Sequence, residues 1–258
     1  MQTLTVSTDD DGITKLTLNR PEQHNALNIE LIHGIITALE DIKKDTRLLV
    51  LSGTGKSFCA GADVNWMKAS KHLSAEDNRR DADDLAHMLR SLNEFPCPTL
   101  LRAHGAVMGG GAGLAACCDM AIGAHTSFYS FSEVKLGLIP AVISPYAIAA
   151  IGARQARRFF LSAEKFTAAT AQAIGLIHEV CEDHALDRHV EHMINEFRNG
   201  GPMAQAECKQ LIPKVANSAN DTHLQEELVD TLARIRAGQE AQDGFSAMLN
   251  KTQPPWQE

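Results

Sequence analysis

Short apolar runs of strand length alternate with helix-period segments along the first half of the chain, and nothing else in the sequence restricts its fold as much. Ile13–Leu18 (ITKLTL) reads as a strand, with a turn at Asn19-Arg20-Pro21 behind it. Ile29–Lys44 carries Leu31, Ile35, Leu39 and Ile42 at helical spacing. Further strand-like runs are Leu48–Leu51, Thr99–Ala103, Met120–Ala124, Phe128–Phe131 and Leu176–Val180. Ala75–Phe95 is a charged amphipathic helix closed by Pro96 and Pro98. Strands separated by helices pair in parallel, so the expected class is α/β. From Ile143 onward helices dominate. The tail after about residue 200, opened by Pro202 and ended by Pro254-Pro255, reads as a helical subdomain that covers something or packs against another subunit. The expected division is a core over residues 1–200 and a helical region over 201–258.

Composition narrows the function classes. A chain of 258 residues with 44% hydrophobic, 22% charged and 5% aromatic residues is built like a soluble globular protein, not a collagen-like or disordered one. A net charge of -8 repels phosphate backbones and anionic lipid, so no nucleic acid or membrane partner is expected. Six cysteines without a CxxC pair point to reduced, buried thiols. The acidic start, MQTLTVSTDDDG, lacks an apolar signal region, and the expected location is cytoplasmic. Residues 136–153 carry no charge over a length that just reaches a membrane span. Pro140 and Pro145 interrupt the run, and a buried turn followed by a core helix is expected instead.

Three elements carry candidate chemistry. Two are glycine-rich segments, each placed after a strand: SFCAGADV (Ser57–Val64) and HGAVMGGGAGLAACCD (His104–Asp119). Glycines let a backbone approach a ligand closely, and free N–H groups at a helix start favour negative charge. Neither segment has nucleotide-motif spacing, and tight packing explains such glycines equally well. The third is FSEVKLGLIP, where Glu133 sits in an apolar neighbourhood. It is either a strand-end carboxylate or a buried acid kept for a reason. Asp63 and Asp119 follow the two loops as caps or braces, and His104 reads as a packed strand-end histidine. His184, His189 and His192 lie close in sequence, but no fourth ligand stands at a convincing spacing, so no metal is expected. No GxSxG element supports a serine hydrolase.

Taken together, these segments resemble the crotonase superfamily, the enoyl-CoA hydratase/isomerase family. The matching stretches are NRPEQHNAL (Asn19–Leu27), SFCAGAD, HGAVMGGGAGLAACCD, SEVKLGLIP, the segment Ala169–Val180 and the tail QEAQDGFSAMLNKTQPPW, in family order along nearly the whole chain. Within the family, IPAVISPYAIAAIG is most similar to bacterial methylglutaconyl-CoA hydratases of leucine and isoprenoid breakdown. The resemblance implies a spiral of ββα units with a C-terminal helical region, assembled as a homotrimer or a dimer of trimers. It implies no cofactor beyond the coenzyme A of an acyl-CoA thioester substrate.

By position, the resemblance makes the backbone N–H groups of Ala62 and Gly110 an oxyanion hole for the thioester carbonyl. It makes Glu133 the residue that activates water or moves a proton at the α-carbon. CoA would contact Asn25, Ala26 and Leu27 and the loop holding Lys56, Ala60 and Gly61, with Phe245 and Lys251 reaching it from the tail. For the two lysines a solvated surface position is an equal alternative. Gly109 and Pro140 border the acyl site, and Trp66 and Tyr146 either line it or pack the core. The second glutamate of two-glutamate hydratases falls at Gly113, a departure shared with family isomerases. The expectation is that Gly113 makes room for a branched or carboxylated acyl group. Hydration of 3-methylglutaconyl-CoA is thus the leading expectation and Δ3,Δ2-enoyl-CoA isomerisation the alternative. A non-catalytic acyl-CoA binder is a third reading. An RNA-binding relative is disfavoured, because Lys43, Lys44 and Arg47 are few cations for that task.

Overall fold

The computed structural model describes residues 3–257. The chain forms nine strands and ten α-helices among these residues: β1 Leu4–Thr8, β2 Ile13–Leu18, α1 Ile29–Ile42, β3 Leu48–Gly53, α2 Val64–Ser70, α3 Ala75–Asn93, β4 Thr99–Ala103, β5 Ala106–Met108, α4 Gly110–Cys117, β6 Met120–Ala124, β7 Phe128–Ser130, α5 Ser144–Ser162, β8 Phe166–Thr167, α6 Ala168–Ala173, β9 Glu179–Cys181, α7 Leu186–Arg198, α8 Pro202–Ala216, α9 Thr222–Ala237 and α10 Gln239–Asn250. Two compact units result. The first holds the chain up to Phe95 together with Thr99–Glu191; the second holds Pro96–Pro98 and the chain from His192 on.

The first unit is built on a six-stranded sheet in the order β1-β2-β3-β4-β6-β9. Only the β1–β2 edge is antiparallel; the other pairs run parallel, as the strand–helix alternation requires. The central strand β3 is buried over Leu48–Leu51, the continuous apolar run of a strand covered on both faces. α1 is capped by Asn28, whose side chain accepts from the Leu31 amide, and buries Leu31, Ile32, Ile35, Ala38 and Leu39. α3 starts on Ser74 and buries only its last turns, at Met88, Leu89 and Leu92. Its first half is left free to serve as a wall.

A second, three-stranded sheet, β5-β7-β8, stands apart from the first. Both β5 and β8, of three and two residues, are too short to show a period. An aromatic cluster anchors this sheet: Phe159 and Phe166 have ring centroids 4.3 Å apart, and Phe131 meets Phe160 edge-on at 4.8 Å. Phe131 is fully buried, so it pins the chain two residues before Glu133.

Two expectations are corrected. The uncharged run at 136–153 does not begin as a buried turn: Leu136, Leu138 and Ile139 are 59%, 56% and 72% exposed. These residues border a cavity instead of filling the core. α5 is kinked at Gly152, whose φ of 72° breaks the helix, and it buries only Ala147, Ile151, Ala156 and Phe159. Among the described residues no helix is long and apolar enough to cross a membrane. Of the cysteines, Cys208 is exposed rather than buried.

The second unit is helical. Glu240 accepts hydrogen bonds from the Met203 and Ala204 amides at the start of α8, at 2.9 and 2.8 Å. Arg234 on α9 grips Glu207 on α8 through both guanidinium nitrogens at 2.9 Å.

Candidate active site

The first glycine-rich loop is held from below by one asparagine. Asn25 takes a left-handed backbone, φ 54°, and is fully buried. Its Oδ1 accepts from the Arg20 amide, and its Nδ2 donates to the carbonyls of Thr54 and Ser57, each at 2.8 Å. Every polar atom of that amide is thereby committed to joining two loops. Arg20 also donates to Asp63 Oδ2 at 2.7 Å and to the Ala26 carbonyl. Asp63 caps α2 through the Asn65 amide at 2.7 Å. Burial pushes the Asp63 pKa up, but the Arg20 guanidinium and the capping amides outweigh it, and the carboxyl titrates below its ordinary value.

This brace sets up a parallel bridge between Leu27 and Ala62. The Leu27 amide donates to the Gly61 carbonyl at 2.7 Å, and the Asp63 amide donates to the Leu27 carbonyl at 2.8 Å. In that pattern the N–H of Ala62 is directed away from Leu27. A second bridge ties Cys59 to Val107, with the Cys59 amide on the Ala106 carbonyl at 3.0 Å and the Met108 amide on the Cys59 carbonyl at 2.9 Å. The two loops are therefore fastened side by side.

At the second loop, Gly109 has φ 49° and ψ -119°, a backbone that side chains with a Cβ rarely adopt. Its amide donates to the Ser130 carbonyl at 2.9 Å, and the next intrahelical bond runs from Gly113 back to Gly109 at 3.0 Å. The N–H groups of the first turn of α4, beginning with Gly110, have no intrahelical acceptor. A Cβ built on Gly109 would stand 3.6 Å from the Gly61 Cα and 3.3 Å from Glu133 Oε1. Both loops and the carboxylate thus meet at one place.

Glu133 opens the short 3-10 turn Glu133–Leu136. Its Oε2 is buried and has no hydrogen-bond partner. Burial raises its pKa above the ordinary carboxylate value, with its own backbone amide pulling weakly the other way. Such a group holds its proton more readily than a solvated glutamate and is a stronger base when ionised.

These elements enclose a cavity of about 590 Å³. Of the sequence-predicted site residues, Leu27, Ala60, Ala62, Trp66, Gly109, Gly110, Glu133 and Pro140 line it. Gly61, between Ala60 and Ala62, is outside the lining, and its φ of 100° favours glycine. The other predicted residues stand off this lining. Asn25 and Ala26 do not face the cavity; they are buried and hold the loop together. Lys56 is exposed and outside the lining. Tyr146 does not line it either. Gly113 is fully buried, and its missing Cβ would stand 2.5 Å from Ile143 Cγ2 and 3.4 Å from Leu89 Cδ2. Its smallness makes room for Ile143, which itself lines the cavity, so any effect of this position on an acyl group passes through that side chain. Phe245 and Lys251 belong to the second unit, on α10 and at its C-terminal cap.

The sequence reading missed the wall formed by α2 and α3. Trp66 Nε1 donates to Asp81 Oδ2 at 2.9 Å, and both residues line the cavity with Ser70, Asn78, Ala82 and Leu85. Asp81 sits in the stretch DNRRDADD, where nothing separates a cavity carboxylate from a solvated charge. The expected braces are present: Asp119 Oδ2 accepts from the amide and the hydroxyl of Thr99 at 2.8 Å. His104 is half-buried against the Gly55 carbonyl at 3.0 Å. Among the described residues no group of His, Cys, Asp and Glu is placed to hold a metal ion.

The sequence pattern of the enoyl-CoA hydratase/isomerase family matches residues 8–258. The 2,3-dehydroadipyl-CoA hydratase of Escherichia coli is 31% identical over 93% of this chain and 92% of its own length. An enoyl-CoA isomerase/hydratase of Mycosarcoma maydis is also 31% identical, over 91% of this chain and 89% of its own. The crystal structure of an enoyl-CoA hydratase from Shewanella pealeana superposes with a TM-score of 0.95 at 36% identity, covering 99% of this chain and 96% of that one.

Proposed function

The chain belongs to the enoyl-CoA hydratase/isomerase family and has its crotonase-type fold, and from that premise we propose that it adds water across the double bond of a 2-enoyl-CoA thioester. One observation carries the reading: Glu133 keeps a buried, unpartnered carboxylate oxygen at the place where the two amide-bearing loops meet. The thioester carbonyl accepts from the N–H groups of Ala62 and Gly110. Glu133 takes a proton from water as the water oxygen bonds to the β-carbon. The double-bond electrons move toward the carbonyl, leaving an enolate oxygen that the two amides and the start of α4 stabilise, each donor by about 3 kcal/mol. The enolate collapses as Glu133 returns the proton to the α-carbon. Water is the only co-reactant, and no cofactor is required beyond the CoA held in the substrate.

A second reading follows from the same geometry. Gly113 offers no second carboxylate, and one base suffices to move a proton from the α- to the γ-carbon in a Δ3,Δ2-enoyl-CoA isomerisation. Ultraviolet absorbance separates the two: hydration of crotonyl-CoA consumes the conjugated thioester band, whereas isomerisation of a 3-enoyl-CoA creates it. Loss of the band, abolished in Glu133→Gln, is the expected result; gain of the band from the 3-enoyl substrate alone would replace hydratase with isomerase. The finer expectation of 3-methylglutaconyl-CoA rests on the IPAVISPYAIAAIG resemblance and draws no support from the cavity, whose lining among the described residues includes no Lys, Arg or His to meet a second carboxylate. For assembly, a homotrimer or dimer of trimers is proposed. The exposed Met203, Ile212, Val229, Leu232, Met248 and Leu249 of the second unit support it, since such surface is normally covered. A cytoplasmic location is proposed with it.

A further inference from the structure

We propose that the α2–α3 wall selects an uncharged acyl group and turns away one that ends in a carboxylate. The inference deepens the 2-enoyl-CoA reading and rests on it for the identity of the ligand. The donors on this wall are already spent inside the protein. The Trp66 indole N–H goes to Asp81 Oδ2 at 2.9 Å. The Ser70 hydroxyl donates to the Met67 carbonyl at 2.8 Å. The Asn78 amide donates to the Leu73 and Ser74 carbonyls at 3.3 and 3.0 Å. What the wall can still offer a ligand is acceptors: the second oxygen of Asp81, the amide oxygen of Asn78 and the lone pairs of Ser70. The other side chains of this wall that line the cavity are Met67, Ala82 and Leu85.

A carboxylate is an acceptor without donors. Where it packs against Trp66 and Asp81, which are half-buried, it would lose part of its water, find no side-chain N–H or O–H of this wall to replace it, and face the like charge of Asp81. An alkyl or alkenyl chain loses nothing there, and a chain ending in a hydroxyl can donate to Asp81. The indole bond fixes the Asp81 carboxylate, so it cannot swing away to relieve the repulsion.

The test measures binding of two saturated thioesters that hydration cannot consume, butyryl-CoA and glutaryl-CoA, by isothermal titration. They carry the same CoA and differ in the acyl end. The wild-type chain is expected to bind butyryl-CoA at least tenfold more tightly, a ratio that needs no variant to be read. In Asp81→Asn, which removes the charge and keeps the shape, the ratio is expected to fall by about threefold or more. Glutaryl-CoA binding as tightly as butyryl-CoA, or a ratio unmoved by Asp81→Asn in a variant with native circular dichroism, overturns the inference. If the ratio holds while crotonyl-CoA is not hydrated, the selection stands and the hydratase reading falls.

Discussion

Replacing Gly113 by alanine adds one methyl group at a place where the added atom would lie 2.5 Å from Ile143 Cγ2 and 3.1 Å from Ile143 Cβ. Gly113 is inside α4, so the backbone by itself favours alanine by about 1 kcal/mol. Overpacking costs about 1–3 kcal/mol, and Ile143, only 2% exposed, can yield only toward the cavity it lines. The expected net effect is a loss of about 0–2 kcal/mol. Ile143→Ala alone opens a void and costs about 2–5 kcal/mol. In that background the 2.5 Å contact is gone, and the contact at Cβ needs a shift of only a few tenths of an ångström. Gly113→Ala should then stabilise, gaining about 1 kcal/mol from helix propensity and about 0.8 kcal/mol from burying a methyl group. The expected coupling is at least 2 kcal/mol, within the range for side chains in contact. Urea unfolding of the four chains at one protein concentration, followed by circular dichroism, reads it. Equal effects of Gly113→Ala in both backgrounds, within about 0.5 kcal/mol, would refute the packing explanation and reopen the view that this glycine serves the acyl group. The same packing says that Gly113→Glu does not restore a second catalytic carboxylate, because its side chain must enter the volume that Ile143 occupies.

Three further outcomes are expected. Glu133→Gln should lower kcat about 10²–10⁴-fold while acyl-CoA binding persists, and the acid limb of wild-type kcat/KM should lie above the ordinary glutamate range, as burial of this carboxyl requires. Because the folded pKa is raised, stability tied to this proton is present at acid pH and lost as pH rises through that value; thermal scans should show Glu133→Gln more stable than wild type near neutrality, with the gap closing at acid pH. Gly109→Ala forces a Cβ onto a backbone at φ 49° and ψ -119° and 3.3 Å from Glu133 Oε1; a stability loss of about 1–3 kcal/mol and a kcat/KM loss of about 10²-fold are expected, and kcat/KM within twofold of wild type would mean that the two loops are not held at that spacing. Asp63→Asn leaves Arg20 unpaired in a site where the two side chains are 7% and 13% exposed, a cost of about 3 kcal/mol. Since the Asp63 pKa is lowered, this cost should be full above about pH 3.9 and shrink as pH falls through the folded value, which urea midpoints across pH would record.

The two glycine loops and Glu133 were legible in residue order as candidates. Glycines after strands and a glutamate in apolar surroundings are local features, and the positive φ at Gly109 is the local property that makes glycine obligatory there. The α2–α3 wall was not legible. Asp81 becomes distinctive only because Trp66, fifteen positions earlier, turns its indole N–H onto it. Asn25 shows the converse: its place in a family-like turn suggested a ligand contact, but both of its side-chain donors and its amide oxygen are engaged in joining residues 20, 54 and 57.

From the residues alone came the α/β class and the helical tail, since hydrophobic period is a property of neighbouring positions; the two amide-bearing loops and the single carboxylate came through the family resemblance of segments in the right order. Tertiary structure decided which polar groups remain free to meet a ligand. Ser70, Asn78 and Trp66 carry donors in any sequence, and only folding spends those donors on the protein's own acceptors. It also decided that Gly113 serves a neighbouring isoleucine, because that space belongs to two residues thirty positions apart and is defined by neither one alone.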